Sequence, residues 1–313
     1  MPPNDSLIPW LHRAAVLTAV GTFLLILVGG GVTSNDAGMA FPDWPTSNGA
    51  LVNPPGWWQQ LDTRWEHGHR LIGWAVGMGA ILVATLAWTS RSSRGVRAAA
   101  VGTLLAIGIQ GVMGGMRVTQ ISITWAVIHG IWGQLCFSLT ACVALATSAG
   151  WRACESRPAE SAELSLVRRL SGVCTAALLV QLATGALTRH VNHGLIFHLF
   201  WAVVSACLVG RLGLGVLGAL KEWNWARRVS AAMLVLVAVQ MLLGMLAFLV
   251  TGGSSSKVVS PTLAQWAIPT AHVGVGSLVL ASSVILTVGL HRFLEVSTPC
   301  RSQISNSPAS ARS

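Results

Sequence analysis

The chain is poor in charge and lacks several features of soluble and disulfide-rich proteins. Charged residues make up 10% of its 313 residues, whereas soluble domains carry roughly 25%. Tyrosine is absent, and the six cysteines include no C-x-x-C pair. Four of those cysteines lie inside apolar runs, where cysteine acts as a small apolar side chain. The composition therefore excludes an ordinary soluble domain, a disulfide framework and a cysteine metal site.

The basic residues are distributed as in a membrane protein. The chain has 20 Lys and Arg against 10 Asp and Glu, a formal net charge of +10, and such an excess can indicate a nucleic-acid partner. Here the basic residues lie in short loops between apolar runs, where they set membrane topology. Several of the 14 Trp lie near the ends of those runs, as interfacial anchoring predicts. The sequence indicates a membrane protein with no nucleic-acid partner.

Eight apolar runs are each long enough to cross a bilayer as a helix, which takes about 20 residues. They cover approximately Arg13–Gly31, His69–Trp88, Ala98–Met116, Trp125–Ala149, Leu170–Leu187, Leu195–Val216, Val229–Val250 and Trp266–Leu290. The predicted fold class is an all-α integral membrane protein with eight transmembrane helices. A long loop, residues 34–64, follows the first run, and a polar linker, residues 151–166, follows the fourth.

The basic content of the loops orients these helices. If the N-terminus lies inside, five of the 20 Lys and Arg fall on the outer side and the remaining 15 on the inner side. The outer five are Arg64, Arg70, Arg117, Arg189 and Lys257. Because basic loops stay in the cytoplasm, we expect a multi-pass protein of a bacterial-type inner membrane with both termini cytoplasmic.

An internal repeat divides the eight runs into two sets of four. Three motifs recur in the same order: Gln110-x-x-x-Gly114 with Gln240-x-x-x-Gly244, Gly30-x-x-Thr33 with Gly185-x-x-Thr188, and Trp125…His129 with Trp266…His272. Duplicated units of this kind pack with small residues at their contacts. The repeat predicts two pseudo-repeated four-helix bundles, over residues 1–150 and 167–298. A Ser-rich tail, residues 299–313, is expected to be disordered.

Four of the nine histidines fall at equivalent places in this repeat, in the outer third of the predicted helices. They are His69, His129, His198 and His272. Each half thus offers two imidazoles on two helices at matching depth, which is how a four-helix bundle holds a haem. A zinc or copper site and a proton relay are alternatives, but zinc normally takes four ligands, or three and a water. The pattern favours one haem in each half.

The stretch from Glu66 to Arg70 gives the first half a chemistry that the second lacks. Glu66 and His69 are three residues apart and share a helix face, just before an apolar run, where ionisable groups are costly and often functional. At the matching places the second half has Leu195 and Leu199. Glu66 is a candidate acid or base beside a candidate metal ligand; the alternative is an interfacial helix cap.

The remaining polar groups of the outer side are less specific. Four arginines are candidates for the propionates of a haem, which need cationic partners near water; the alternative is ordinary interfacial arginine. They are Arg64, Arg70, Arg117 and Arg189. His67 is expected to point away from His69, because residues two apart do not share a helix face. His190 and His193 are expected in an outer loop.

Taken together, these motifs resemble the haem A synthase family. The resemblance rests on Gly29-Gly30-Gly31-x-Thr33, then Gly38, Pro42-Asp43-Trp44-Pro45 and Gly49, then Glu66-x-x-His69-Arg70, in that order. It extends over nearly the whole chain. It implies two pseudo-repeated bundles, with haem o as the substrate in the N-terminal half and haem b as the cofactor in the C-terminal half. The implied activity oxidises the C8 methyl of haem o to a formyl group with water as the oxygen source, giving haem A for cytochrome oxidase.

The resemblance also implies roles for individual residues. Glu66 matches the essential acidic residue of the family. His69 and His129 match the substrate-side histidines, with Arg70 beside them. His198 and His272 match the ligands of the haem b iron. These roles agree with the difference between the halves that the residues themselves indicate.

The sequence departs from the family at two places. Phe41 and Ser47 flank the Pro42–Pro45 motif where cysteines occur in many bacterial members, so a loop disulfide is absent. Leu199 follows His198 where arginine is expected, which removes one candidate for a propionate partner.

Two other classes of protein stay open. A di-haem electron-transfer subunit of the cytochrome b type would hold two permanent haems and would make no use of Glu66. A transporter built on a duplicated bundle would use the histidines as a proton relay and bind no haem. For a synthase, the membrane electron acceptor is unknown. The resemblance alone implies a complex with the enzyme that makes haem o, or a homo-oligomer.

Overall fold

The computed structural model describes residues 6–159, 161–253 and 260–295, and eight of its helices are long and apolar enough to cross a membrane. They are α1 (Ile8–Ser34), α2 (Leu61–Thr89), α3 (Arg94–Thr119), α4 (Ile123–Ala146), α6 (Ala162–Val191), α7 (Leu195–Ala219), α8 (Asn224–Thr251) and α9 (Leu263–Phe293). The four-residue helix α5 (Ala149–Arg152) lies between α4 and α6. The eight predicted spans are confirmed, and the chain is a multi-pass membrane protein.

Six of the eight long helices extend beyond their apolar runs at both ends, whereas α4 stops at Ala146, short of the predicted Ala149, and α7 begins with its run at Leu195. In an apolar medium every backbone N–H and C=O needs an internal partner, so the helical hydrogen bonds continue into the polar residues that flank each run. Helix α2 begins at Leu61, so Glu66 and His69 both lie inside it. Helix α6 continues to Val191, so the expected position of His190 in a loop is wrong.

Polar side chains cap the N-termini of four of the long helices. The hydroxyls of Ser93, Ser122 and Ser161 accept a hydrogen bond from the first turn of α3, α4 and α6. Thr262 and Gln265 form a reciprocal capping box at the start of α9. Such caps satisfy backbone N–H groups that have no partner inside the helix. They fix where α3, α4, α6 and α9 start.

The long helices pack as two rings of four. Helices α1 to α4 contact one another in order around the first ring, and α6 to α9 do so around the second. The rings meet through contacts of α9 with α1 and α4, and of α4 with α6. Residues 35–60 lie at one end of the molecule, here called the loop end, and residues 147–159 lie at the opposite linker end. All four repeat histidines lie toward the loop end.

Part of the linker between the rings pairs with the residues that follow α9. Strand β1 (Arg157–Pro158) pairs in parallel with strand β2 (Leu294–Glu295) directly after α9. This two-residue pair is the strand content of the described residues, so the all-α class holds. The predicted boundaries of the two halves stay predictions, and the tail at residues 299–313 lies outside the described residues.

The apolar cores of the two rings lie toward the linker end. In the first ring the buried core includes Leu11, Val83 and Val143. In the second ring it is larger and includes Met233 and Phe293. Large apolar side chains on the outer surface are strongly exposed, which is expected where a bilayer rather than water is the surrounding medium. This packing leaves the loop end for polar side chains.

Candidate functional site

The four repeat histidines form two pairs, one inside each ring. The ring centres of His69 and His129 are 6.5 Å apart, and those of His198 and His272 are 6.3 Å apart. Two imidazoles that bind one metal from opposite sides, at about 2.0–2.1 Å each, have ring centres roughly 6 Å apart. Each pair therefore has the spacing of two axial ligands. That these residues bind haem stays a prediction.

Each of these histidines faces a glycine near the loop end of the preceding helix. A Cβ placed on the glycine would lie 2.8–3.0 Å from the imidazole ring. The contacts are Gly29 with His69, Gly114 with His129, Gly185 with His198 and Gly244 with His272. A side chain at any of these positions would push the imidazole away, so glycine is required by the close approach of helix and ring.

The contact in α1 shows that one repeat match in the sequence was off by one residue. Gly29, not Gly30, is the counterpart of Gly185 in facing a histidine. Gly30 faces the other ring instead, where a Cβ would lie 3.1 Å from the Cγ2 atom of Thr270 in α9. The adjacent glycines of α1 thus serve two contacts, one with a histidine and one between the rings.

Three of the histidines also contact a glutamine that lies four residues before the facing glycine. The Nε2–Nε2 distances are 3.3 Å for Gln110 with His129, 3.4 Å for Gln181 with His198 and 3.3 Å for Gln240 with His272. At the fourth place stands Leu25, so the N-terminal pair has one amide neighbour and the C-terminal pair has two. Gln181 was missed from the sequence, although Gln181-x-x-x-Gly185 repeats the motif of the other two.

Several polar atoms around both pairs are buried and make no hydrogen bond with a described residue. They are the Oε1 atoms of Gln110, Gln181 and Gln240, and the Nδ1 atoms of His129 and His272. Buried polar groups without partners are rare because their desolvation is not compensated. Within the described ranges no cluster of three or more His, Cys, Asp or Glu has metal-site geometry. The donor set at each site is thus a pair of imidazoles with amide neighbours.

Glu66 lies on the loop side of the first pair, and its carboxylate is fully engaged. The residue is 4% exposed. Its Oε2 accepts hydrogen bonds from the backbone N–H groups of Ala40 at 2.6 Å and Phe41 at 3.2 Å, and its Oε1 pairs with Arg70. The carboxylate therefore ties α2 to the start of the long loop.

Arg70 extends this connection further along the loop. Its guanidinium donates to the carbonyl oxygen of Asp43 at 2.7 Å, to that of Thr46, and to the hydroxyl of Ser47 at 3.3 Å. With Glu66 as a further acceptor, Arg70 binds the loop rather than facing an open site. Its predicted role as a haem-binding residue stays a prediction, and these contacts favour a structural role.

His67 also anchors the loop. It is fully buried and makes hydrogen bonds to the Ser47 hydroxyl and the Val52 carbonyl, both at 2.9 Å. Its ring packs against Trp57, with ring centres 4.9 Å apart. His67 points away from His69, as the helix geometry predicted, but its structural role was missed because the partners are 15 to 20 residues distant in sequence.

The loop covers the end of the first ring beside His129. Trp44 packs flat on Gly115, where a Cβ would lie 2.5 Å from its indole ring. Gly115 directly follows the glycine that faces His129. Glu66, His67 and Arg70 thus hold a segment, residues 40–57, over the loop end of the N-terminal pair. No equivalent long segment lies between α6 and α7, which are separated by residues 192–194.

The hydrogen bonds of the Asp43 carboxylate make the stability of the loop depend on pH. Burial raises its pKa, but hydrogen bonds from the Gly49 backbone, Thr46 and the Asn48 backbone together outweigh burial and lower the pKa from its ordinary value of 3.8 to about 2. A carboxyl with a lowered folded pKa stabilises the fold above its unfolded pKa. Its contribution is therefore present above about pH 4 and is lost as the pH falls towards 2.

We expect Asp43→Asn to speed hydrogen exchange at the Asn48 and Gly49 amides by about 2- to 10-fold at neutral pH, since each net hydrogen bond contributes about 0.5–1.5 kcal/mol. Hydrogen exchange with mass spectrometry measures this effect. Asp62→Asn, at the start of α2, is the control that removes the same charge outside the turn. Equal exchange in wild type and Asp43→Asn would contradict the assigned role.

This chain is similar in sequence to proteins of one family. Residues 12–213 match the COX15-CtaA family, described as cytochrome oxidase assembly protein. The chain is 26% identical over 240 residues to a protein of Azorhizobium caulinodans named Heme A synthase, covering 65% of each chain. It is 24% identical over 235 residues to a Heme A synthase of Mesorhizobium japonicum, covering 64% of this chain and 61% of the relative.

A further Heme A synthase, from Hyphomonas neptunium, is 26% identical over 137 residues, which is 36% of this chain and 39% of the relative. The chain thus aligns with less than two thirds of the length of each of these relatives. The family match, in contrast, covers well over half of this chain and includes both the long loop and the first three repeat histidines. The chain belongs to the cytochrome oxidase assembly protein family.

Proposed function

We propose that this protein is a haem A synthase, which converts the C8 methyl of haem o into a formyl group. The observation that carries the proposal is the difference between two otherwise matching histidine pairs. Among the described residues, the pair His69 and His129 has a buried carboxylate, Glu66, one helical turn away and a long loop above it, whereas the pair His198 and His272 has neither. The relatives named Heme A synthase support the same activity.

The C-terminal pair fits a resident haem b. His198 and His272 have the spacing of axial ligands, and Gly185 and Gly244 keep their rings close to the helices. The flanking amides of Gln181 and Gln240 have unpaired Oε1 atoms. A bound haem b supplies one-electron redox chemistry. These two histidines would hold the haem iron, in a part of the second ring where the described residues place no carboxylate beside them.

The N-terminal pair fits the substrate haem o, with His69 and His129 beside its iron. Oxidation of a methyl to a formyl group with water as the oxygen source releases four electrons and four protons. The electrons go to an acceptor in the membrane. Glu66 is the proposed proton acceptor, or stabiliser of a cation, at the methyl carbon. Its hydrogen bonds to the loop hold the carboxylate at a fixed position.

The membrane orientation follows from the basic residues. We propose that the linker end faces the cytoplasm and the loop end the outer side of a bacterial-type inner membrane, because the linker end carries most Lys and Arg. The proposed partners are an electron acceptor and the enzyme that supplies haem o. The family resemblance also implies a second copy of this chain as a partner.

One observation favours a second function, a di-haem electron-transfer subunit. The two pairs have nearly the same ring spacing, 6.5 and 6.3 Å, as expected for two permanent haems. That function leaves Glu66 and the ordered loop without a purpose. It also predicts that both porphyrins are haem b.

The test is the identity of the porphyrins that the protein carries. We expect protein purified from a host that makes haem o to contain haem b together with haem o, haem A or the intermediate alcohol, identified by mass after extraction. Haem b alone, in two copies, would support the electron-transfer subunit instead. Absence of any haem would overturn both functions and would favour a transporter that uses the histidines as a proton relay.

A further inference from the structure

The structure separates the four arginines that the sequence left equivalent as partners for porphyrin carboxylates. Arg64 is exposed, at the start of α2. Arg70 is committed to Glu66 and the loop carbonyls. Two remain, Arg117 near the end of α3 and Arg189 near the end of α6. Both are partly buried at the loop end, close to the histidine pairs.

Arg189 lies at the junction of the two rings. Its Nη2 donates to the Gly30 carbonyl and the Ser34 hydroxyl in α1, both at 2.9 Å, and its Nη1 donates to the Pro269 carbonyl in α9 at 3.5 Å. Gly30 is adjacent to the glycine that faces His69, and Pro269 is three residues before His272. All of these acceptors are neutral. Within the described ranges, no carboxylate pairs with this guanidinium.

Arg117 lies three residues after the glycine that faces His129, beside the long loop. Its Nη2 is 2.6 Å from the place where a Cβ on Gly38 would be. Among the described residues it has no hydrogen bond or ion pair. Glu66 and Asp36 interact electrostatically with its charge without a hydrogen bond to it, and Glu66 is already paired with Arg70. A guanidinium is always protonated, and its burial without an anion is costly.

The two arginines belong to one cationic cluster. The charge of Arg117 acts on Arg189 and on His190. His190 lies between the rings, with its Nε2 3.5 Å from a Cβ placed on Gly130, the residue after His129. The cluster is adjacent to the N-terminal pair and lacks a matching set of carboxylates among the described residues. Its chemistry suits a ligand with two carboxylate groups, because guanidinium binds carboxylate in a bidentate manner.

We propose that Arg117, with Arg189 beside it, binds the propionate carboxylates of the porphyrin in the N-terminal half. This proposal rests on the proposed function. It explains why one methyl group of the porphyrin, the C8 methyl, is oxidised. On a porphyrin of this type the C8 methyl is next to a carbon that bears a propionate. A cation that fixes this propionate therefore also fixes the methyl at the loop end, where Glu66 lies. Arg117 is a substrate-positioning residue in this arrangement.

The test compares a porphyrin with its carboxylates and the same porphyrin without them. Full-length protein is purified with haem b in the C-terminal site from a host that makes no haem o. It is then titrated with iron protoporphyrin IX or with its dimethyl ester, and binding is followed by absorbance. We expect wild type to prefer the free acid by at least about 10-fold, since loss of one partner of a desolvated charge pair typically costs that much or more.

Arg117→Gln is expected to weaken binding of the free acid by about 10- to 100-fold and to change binding of the ester by less than about threefold. Arg117→Lys retains the charge and should recover part of the preference. Arg64→Gln, which removes an exposed charge from the same end, is the matched control and should behave as wild type.

Two results would overturn this proposal and leave the proposed function standing. One is equal binding of the free acid and the ester by wild type. The other is an equal loss of binding of both porphyrins in Arg117→Gln, which a purely structural role of Arg117 requires. Failure of wild type to bind any second porphyrin would overturn the proposed function as well.

Discussion

Replacing Glu66 with Ala is expected to lower the yield of haem A by at least about 100-fold, the usual contribution of a positioned acid or base. Bound haem should persist, because the substitution touches none of the four repeat histidines or their glycine contacts. The measurement is haem A formed per unit of protein in a host that supplies haem o, together with the total haem content. Normal haem A formation would contradict a catalytic role for Glu66.

The contacts of Glu66 require a control that separates its chemistry from its support of the loop. His67→Ala removes the hydrogen bonds to Ser47 and Val52 but leaves Glu66 in place. We expect this variant to increase hydrogen exchange in residues 47–52 and to retain haem A formation within about 10-fold of wild type, since two neutral hydrogen bonds are lost. If His67→Ala lost as much activity as Glu66→Ala, Glu66 would act through the loop.

Glu66→Gln separates the effect of the negative charge of Glu66 from the effect of its hydrogen bonds to the loop. The amide oxygen can still accept from Ala40 or Phe41, but the amide NH2 then faces the donors of Arg70. We expect haem A formation to fall nearly as far as in Glu66→Ala, because a neutral amide is too weak a base to accept the proton and has no negative charge to stabilise a cation. Loop exchange should change less than in Glu66→Ala, since an acceptor for the backbone amides remains.

The eight helices were predictable because a bilayer imposes a simple rule on sequence. An apolar run of sufficient length satisfies its own backbone hydrogen bonds as a helix. The ends were less predictable, since capping groups such as Thr262 with Gln265 extend a helix into polar sequence. This is why the predicted span started at His69 although α2 begins at Leu61, and why His190 was expected in a loop although α6 contains it.

The candidate site was predictable to the extent that the repeat encodes it. The four histidines occur at matching places, and their pairing follows from packing each half as one ring. The loop contacts were not predictable, because the partners of His67 and Arg70 depend on how residues 40–57 fold back on α2. The same holds for Arg189, whose acceptors Gly30 and Pro269 are brought together by contact between the two rings.

Replacing His272 with Ala is expected to remove the haem of the C-terminal ring and lower the haem content per protein by about half, because one axial ligand is lost. The N-terminal pair should keep its porphyrin, since His69 and His129 share no helix with His198 and His272. Haem content and the mass of the extracted porphyrins measure both effects. The complementary variant, His129→Ala, should lose the substrate porphyrin and keep haem b.

Two further measurements distinguish loss of a ligand from general damage. Free imidazole should restore haem binding to His272→Ala by entering the space of the missing ring, and it should have no effect on a merely destabilised protein. His12→Ala is the control: this histidine bonds to the Ala144 carbonyl and the Thr147 hydroxyl at the linker end, both at 3.1 Å. It should retain both haems. Unchanged haem content in His272→Ala would contradict axial ligation, whereas loss of both porphyrins would show that the two rings do not bind haem independently.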